Sequence, residues 1–95
     1  MEINKTIKIK DKRFNTTLEV KIRNILDVVK SPGYITLIYW HPEEGKKASS
    51  FIFDDEPLTW CDKDGNESAD YQKLIDTLSV YAEQTKLKDA IAYLN

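Results

Sequence analysis

The hydrophobic period changes once along this chain, and that change constrains the fold more than any other feature. From Ile3 to about Cys61 apolar residues alternate with polar ones or form short β-branched and aromatic runs. From Ser68 onward they recur at helical spacing, at Tyr71, Leu74, Ile75, Leu78, Tyr81 and Ala82. Alternation marks strands with one buried face, and i, i+3, i+4 recurrence marks an amphipathic helix. Strands first and helices last is the order of an α+β domain.

At 95 residues the chain has room for one domain, spanning 1–95. Residues 3–10 alternate with Ile7 and Ile9 on one parity and Lys8 and Lys10 on the other. Residues 17–30 read as a second strand, with Leu18, Val20, Ile22, Leu26 and Val28 on one face and Asn24 interrupting them. Ser31-Pro32-Gly33-Tyr34 carries the chemistry of a type II turn, with φ preset at Pro32 and positive φ supplied by Gly33. Tyr34–Trp40 is an unbroken run of strand formers, and Ala48–Phe53 and Leu58–Cys61 follow as shorter strands. A tight hairpin closed at Pro32-Gly33 pairs Val28 with Leu37, Leu26 with Tyr39, Val29 with Thr36, Asp27 with Ile38, and Ile25 with Trp40.

Ser68 or Asp70 suits the start of the helix over 69–83. Leu87, Ala90, Ile91 and Leu94 fall out of phase with the first apolar stripe. That offset predicts a break near Gln84-Thr85, with Thr85 capping a second helix over 86–94. The expected architecture is an antiparallel β-meander of four to five strands followed by two C-terminal helices. The first helix is expected to pack on the face bearing Leu18, Val20, Leu26, Val28, Leu37 and Phe51.

Several chemistries lack the residues they need. Cys61 is the sole cysteine, so no internal disulfide forms, in keeping with a reducing, cytoplasmic setting. The N-terminal residues show no secretory h-region, and no apolar run approaches the ~20 residues of a membrane span. His41 and Cys61 are the obvious candidates for a nucleophile and its base, but such a pair needs hydrogen-bond reach and a third group to orient the histidine, and the sequence shows neither. The Asp62-Lys63-Asp64-Gly65-Asn66 run starts like a calcium loop. It then places Glu67 where the bend needs Gly and Lys73 where a bidentate Glu is needed. One His and one Cys are too few for zinc. The chain therefore reads as a non-enzymatic protein with no cofactor and no metal.

Charge is distributed unevenly behind a formal net charge of -2. Residues 1–30 hold eight basic and four acidic groups, whereas 48–95 hold four basic and ten acidic ones. The acidic stretch contains Asp54, Asp55, Glu56, Asp62 and Asp64; the basic strands contain Lys8, Lys10, Lys21 and Arg23. The hairpin register places Ile25, Val29, Tyr34, Ile38 and Trp40 on the face opposite the core. Water-facing sheet faces are ordinarily polar, so either helix 86–94 covers this one or it binds a partner.

These observations favour a small protein-binding module, an inhibitor, adaptor or regulator, of the kind phages and mobile elements encode. Its contacts would be Tyr34, Ile38, Trp40, Ile25 and Val29 with the acidic segment. Its partner would be another protein with a basic surface, or a second copy of the chain. The alternative is single-stranded nucleic acid, tracked by Lys8, Lys10, Lys21 and Arg23 with aromatic stacking. An isoelectric point of 5.4 ranks that second, because a basic domain is the usual footprint of nucleic-acid binding.

Overall fold

The computed structural model describes residues 4–11, 15–52 and 59–94, with the side chains of the last helix described through Leu87. Its elements are β1 (Thr6–Asp11), β2 (Thr16–Lys21), a 3-10 turn (Ile22–Asn24), β3 (Ile25–Ser31), β4 (Tyr34–His41), β5 (Gly45–Ile52), β6 (Thr59–Cys61), β7 (Glu67–Ser68) and α1 (Tyr71–Leu94). The α+β class stands. The strands, however, form two antiparallel sheets, ordered β2-β1-β6-β7 and β3-β4-β5, rather than one meander.

The division arises inside the stretch expected as one strand over 17–30. The Ile22 N–H donates to the Lys5 carbonyl at 3.0 Å, and the Ile25 N–H closes back on the Ile22 carbonyl. This turn carries the chain from the first sheet into the second. A further non-local pairing, Lys8 with Cys61, Ile9 with Trp60 and Lys10 with Thr59, inserts β6 beside β1.

The inward parities meet in one core. Ile7, Ile9, Val20 and Trp60 come from the first sheet, Ile25, Ile35, Leu37, Tyr39 and Phe51 from the second, and Leu74, Ile75, Leu78, Tyr81 and Ala82 from α1. Leu18 and Val28 pack against this cluster, as the helix-facing surface requires, whereas Leu26 does not belong to it. Along the helix, α1 lies principally against β3. Its start is fixed as the sequence suggests: the Asp70 carboxylate accepts the Lys73 N–H at 3.0 Å.

The second helix is a correction. α1 runs unbroken from Tyr71 to Leu94, and the Thr85 hydroxyl donates to the Tyr81 carbonyl at 3.0 Å, four residues back. A threonine that satisfies its hydroxyl inside the preceding turn can remain within a helix. The phase change in the apolar pattern therefore does not mark a helix break.

Register at the β3–β4 hairpin follows the expected pairing for Val28 with Leu37, Val29 with Thr36 and Asp27 with Ile38. Gly33 has φ of +81°, as the turn demands. A bulge at Leu26 then shifts the ladder, so that Ile25 pairs with Tyr39 and not with Trp40. One extra residue in a strand moves everything beyond it to the other face. Ile25 is accordingly fully buried instead of facing outward. Asp27 fits the bulge because its carboxylate accepts the N–H of Val28 at 2.8 Å.

Candidate protein-docking face

The outer face of the β3-β4-β5 sheet is assembled by strand parity. Ile35, Leu37 and Tyr39 of β4 point inward, so Tyr34, Thr36, Ile38 and Trp40 point outward. Cross-strand pairing sets Ile52 beside Tyr34, Ser50 beside Thr36, Ala48 beside Ile38 and Lys46 beside Trp40. On the other flank stand Val29 and Asp27. Val29 is 45 % exposed, Tyr34 41 %, Trp40 50 % and Ile52 45 %, with Ile38 half-buried between them. Four large apolar side chains thus share one open sheet face. Between them the Thr36 and Ser50 hydroxyls bond each other at 2.8 Å, which turns their polarity inward on the face itself.

Four of the five residues expected on this face are there: Val29, Tyr34, Ile38 and Trp40. Ile25 is lost to the bulge. Ile52 is the member that sequence reasoning missed, although its parity opposite Phe51 carried the signal. Of the two alternatives for this face, cover by residues 86–94 or an open patch, the exposure of Val29, Tyr34 and Trp40 favours the open patch, with Lys86 reaching Asp27 at 3.6 Å along the β3 border.

The acidic and basic candidates separate. Asp54, Asp55 and Glu56 lie outside the described residues. Asp62 and Asp64 sit in the β6–β7 turn of the other sheet, where Asp62 borders a depression with Lys5, Lys8 and Cys61 rather than the face around Trp40. Asp62 accepts the backbone N–H groups of Asp64 and Asn66, both at 2.9 Å, and the Asn66 amide hydrogen bond above all holds its carboxyl below the usual carboxylate range. Asp64 is lowered too, by its hydrogen bond from Lys5 at 3.2 Å and then by Lys63. These carboxylates are engaged in shaping their own turn.

Lys8, Lys10 and Lys21 project from the outer face of the four-stranded sheet, and Lys8 pairs with Glu19 at 3.4 Å. Lys21 also borders a depression of about 200 Å³ with Asn24, Trp40, His41 and Pro42. Arg23 is exposed on the 3-10 turn. His41 Nδ1 accepts the Glu43 and Glu44 N–H groups at 3.2 Å each, so this imidazole organises the β4–β5 turn. In the same turn Lys47 donates to Glu44 at 2.6 Å, which lowers the Glu44 carboxyl and raises the Lys47 ammonium. His41 and Cys61 border separate depressions on different sheets and are not brought together as a pair. Among the described residues no three His, Cys, Asp or Glu side chains group as a metal site, and no helix is long and apolar enough to cross a membrane.

Comparison with protein-family models, with curated proteins and with solved structures returns no significant match, so the chain's own geometry carries the functional argument.

Proposed function

We propose that this protein is a small binding module whose outer β3-β4-β5 face docks another protein, as an inhibitor, adaptor or regulator without catalysis of its own. The observation that carries the reading is the placement of Val29, Tyr34, Trp40 and Ile52, all exposed, on the same sheet face as the half-buried Ile38. Contiguous apolar surface on a water-facing sheet marks an interaction site, and Tyr and Trp are the residues most enriched where binding energy concentrates. A lone cysteine suits work in a reducing compartment such as the cytoplasm.

The test is capture of partners from the source cells on immobilised wild-type protein and on Trp40→Ala. Loss of a specific captured protein, with unchanged thermal unfolding of the variant, supports the reading. Identical capture by both proteins, or a variant that fails to fold, removes Trp40 from any interface.

Single-stranded nucleic acid is the second reading, favoured only by Lys21 bordering the same depression as Trp40. It requires steeply salt-dependent binding of an oligonucleotide that weakens in the Lys21→Ala, Arg23→Ala double variant.

A further inference from the structure

The charges around Trp40 narrow the kind of protein that fits. Lys46 is its cross-strand neighbour on β5, and Lys21 borders the depression beside it. Directly opposed residues in an antiparallel pair have Cβ atoms about 5 Å apart, so Lys46 stands within reach of the indole edge. Among the described residues neither lysine has an ion-pair partner. Of the nearby carboxylates, Glu19, which lines the same depression, is engaged by Lys8 at 3.4 Å and Glu44 by Lys47 at 2.6 Å, while Glu43 stands exposed in the β4–β5 turn. The Trp40 end of the face is therefore an apolar anchor flanked by two exposed lysines that form no ion pair among the described residues.

Away from that end the described residues of the face carry no further free charge. Asp27 is met by Lys86 at 3.6 Å, and Ile38, Thr36, Val29 and Ser50 are neutral. A phosphate backbone running from Trp40 to Tyr34 would find cations at the Trp40 end and none along its path. Apolar side chains with carboxylates at one end match the face throughout.

Its dimensions point to the shape of the occupant. Three strands about 4.8 Å apart make a surface about 10 Å wide, and the six residue steps from Tyr34 to Trp40 span about 20 Å. An α-helix is about 10 Å across and covers 20 Å in about 13 residues. On the β3 side α1 stands along the border, where Lys86 meets Asp27, and limits a broader partner.

Resting on the docking-face reading above, we infer that the partner presents an amphipathic helix whose apolar stripe lies along Ile38, Val29, Tyr34 and Ile52 and whose terminal carboxylates meet Lys21 and Lys46 around Trp40.

The experiment titrates ¹⁵N-labelled full-length protein at low salt with three probes. The first is a synthetic amphipathic helix of about 14 residues bearing glutamates in one terminal turn. The second is the same peptide with lysines in their place, and the third is oligo-dT. The glutamate peptide is expected to shift the Trp40 indole and the Ile38 and Val29 amides. The Lys21→Glu, Lys46→Glu variant, exposed at both positions, is expected to bind it about tenfold more weakly and to favour the lysine peptide, because like charges at a contact repel. Equal binding of both peptides to wild type overturns the acidic assignment and leaves the docking face standing. Absence of shifts with either peptide overturns both readings. Shifts produced by oligo-dT and by neither peptide assign the site to nucleic acid instead.

Discussion

The Trp60 indole N–H donates to the main-chain carbonyl of Asp70 at 3.2 Å, and the same carbonyl accepts the Leu74 N–H at 3.1 Å. One acceptor therefore ties the short strand β6 to the first turn of α1. Trp60 is 2 % exposed and pairs with Ile9 at the centre of the first sheet, so the bond fixes where the helix enters the core. Trp60→Phe removes the donor and part of the ring volume. It is expected to cost about 2 kcal/mol in urea unfolding, from one hydrogen bond and a small cavity.

Asp70 also caps α1 through its side chain. Asp70→Ala is expected to cost about 1 kcal/mol, whereas Asp70→Asn keeps an acceptor and stays close to wild type. Chemical denaturation of the two variants side by side checks the assignment. Equal losses would place the effect in charge rather than in the cap.

Continuity of the helix can be tested at Thr85. If this residue capped a second helix, alanine would destabilise the protein by about 1 kcal/mol. Within an unbroken helix alanine has the higher propensity, and Thr85→Ala is expected to be neutral or stabilising by about 0.5 kcal/mol. Thermal unfolding followed by circular dichroism distinguishes the two signs.

The bulge at Leu26 makes a contrast between residues four apart on β3. Ile25→Ala is expected to cost about 3 kcal/mol because it empties a buried site. Val29→Ala, on the open face, is expected to stay within about 0.5 kcal/mol of wild type. Similar losses at both positions would mean that the outer face is packed against something.

Acid is expected to weaken the β6–β7 turn. Folding lowers the Asp62 and Asp64 carboxyls, so their stabilising contribution is complete above the ordinary aspartate range and is lost as pH falls through the lowered values. Lys5→Met is expected to return Asp64 toward its usual value while leaving Asp62, held chiefly by the Asn66 N–H, where it was. Carboxyl titration by NMR reads both groups in one experiment.

Much of this fold was legible along the chain because local patterns act locally. The parity of Ile7 and Ile9, the positive φ at Gly33, the Val28–Leu37 pairing and the Asp70 cap each depend on neighbours within a few residues. Some expectations failed at long range or by a single-residue slip, and the break at Thr85 failed because a shift of apolar phase does not by itself end a helix. No local signal shows that β6 pairs with β1, some fifty residues earlier, or that Asn24 marks a crossing between sheets and not a blemish in one strand. Of the candidate site, Val29, Tyr34, Ile38 and Trp40 followed from alternation together with the hairpin register closed at Pro32-Gly33. Ile25 did not, because alternation cannot register a bulge.

The sequence by itself determined the class of this protein, the identity of most core residues and the existence of a second apolar sheet face, since periodicity dictates which side chains share a side. Only the tertiary structure decided which of those side chains meet water. α1 packs on the core side and along the β3 border, which leaves Trp40 open. The crossing at Ile22–Asn24 brings Lys21 beside it, and the β4–β5 turn delivers Lys46. Exposure and charge proximity are properties of packed neighbours distant in sequence, and only packing makes them neighbours.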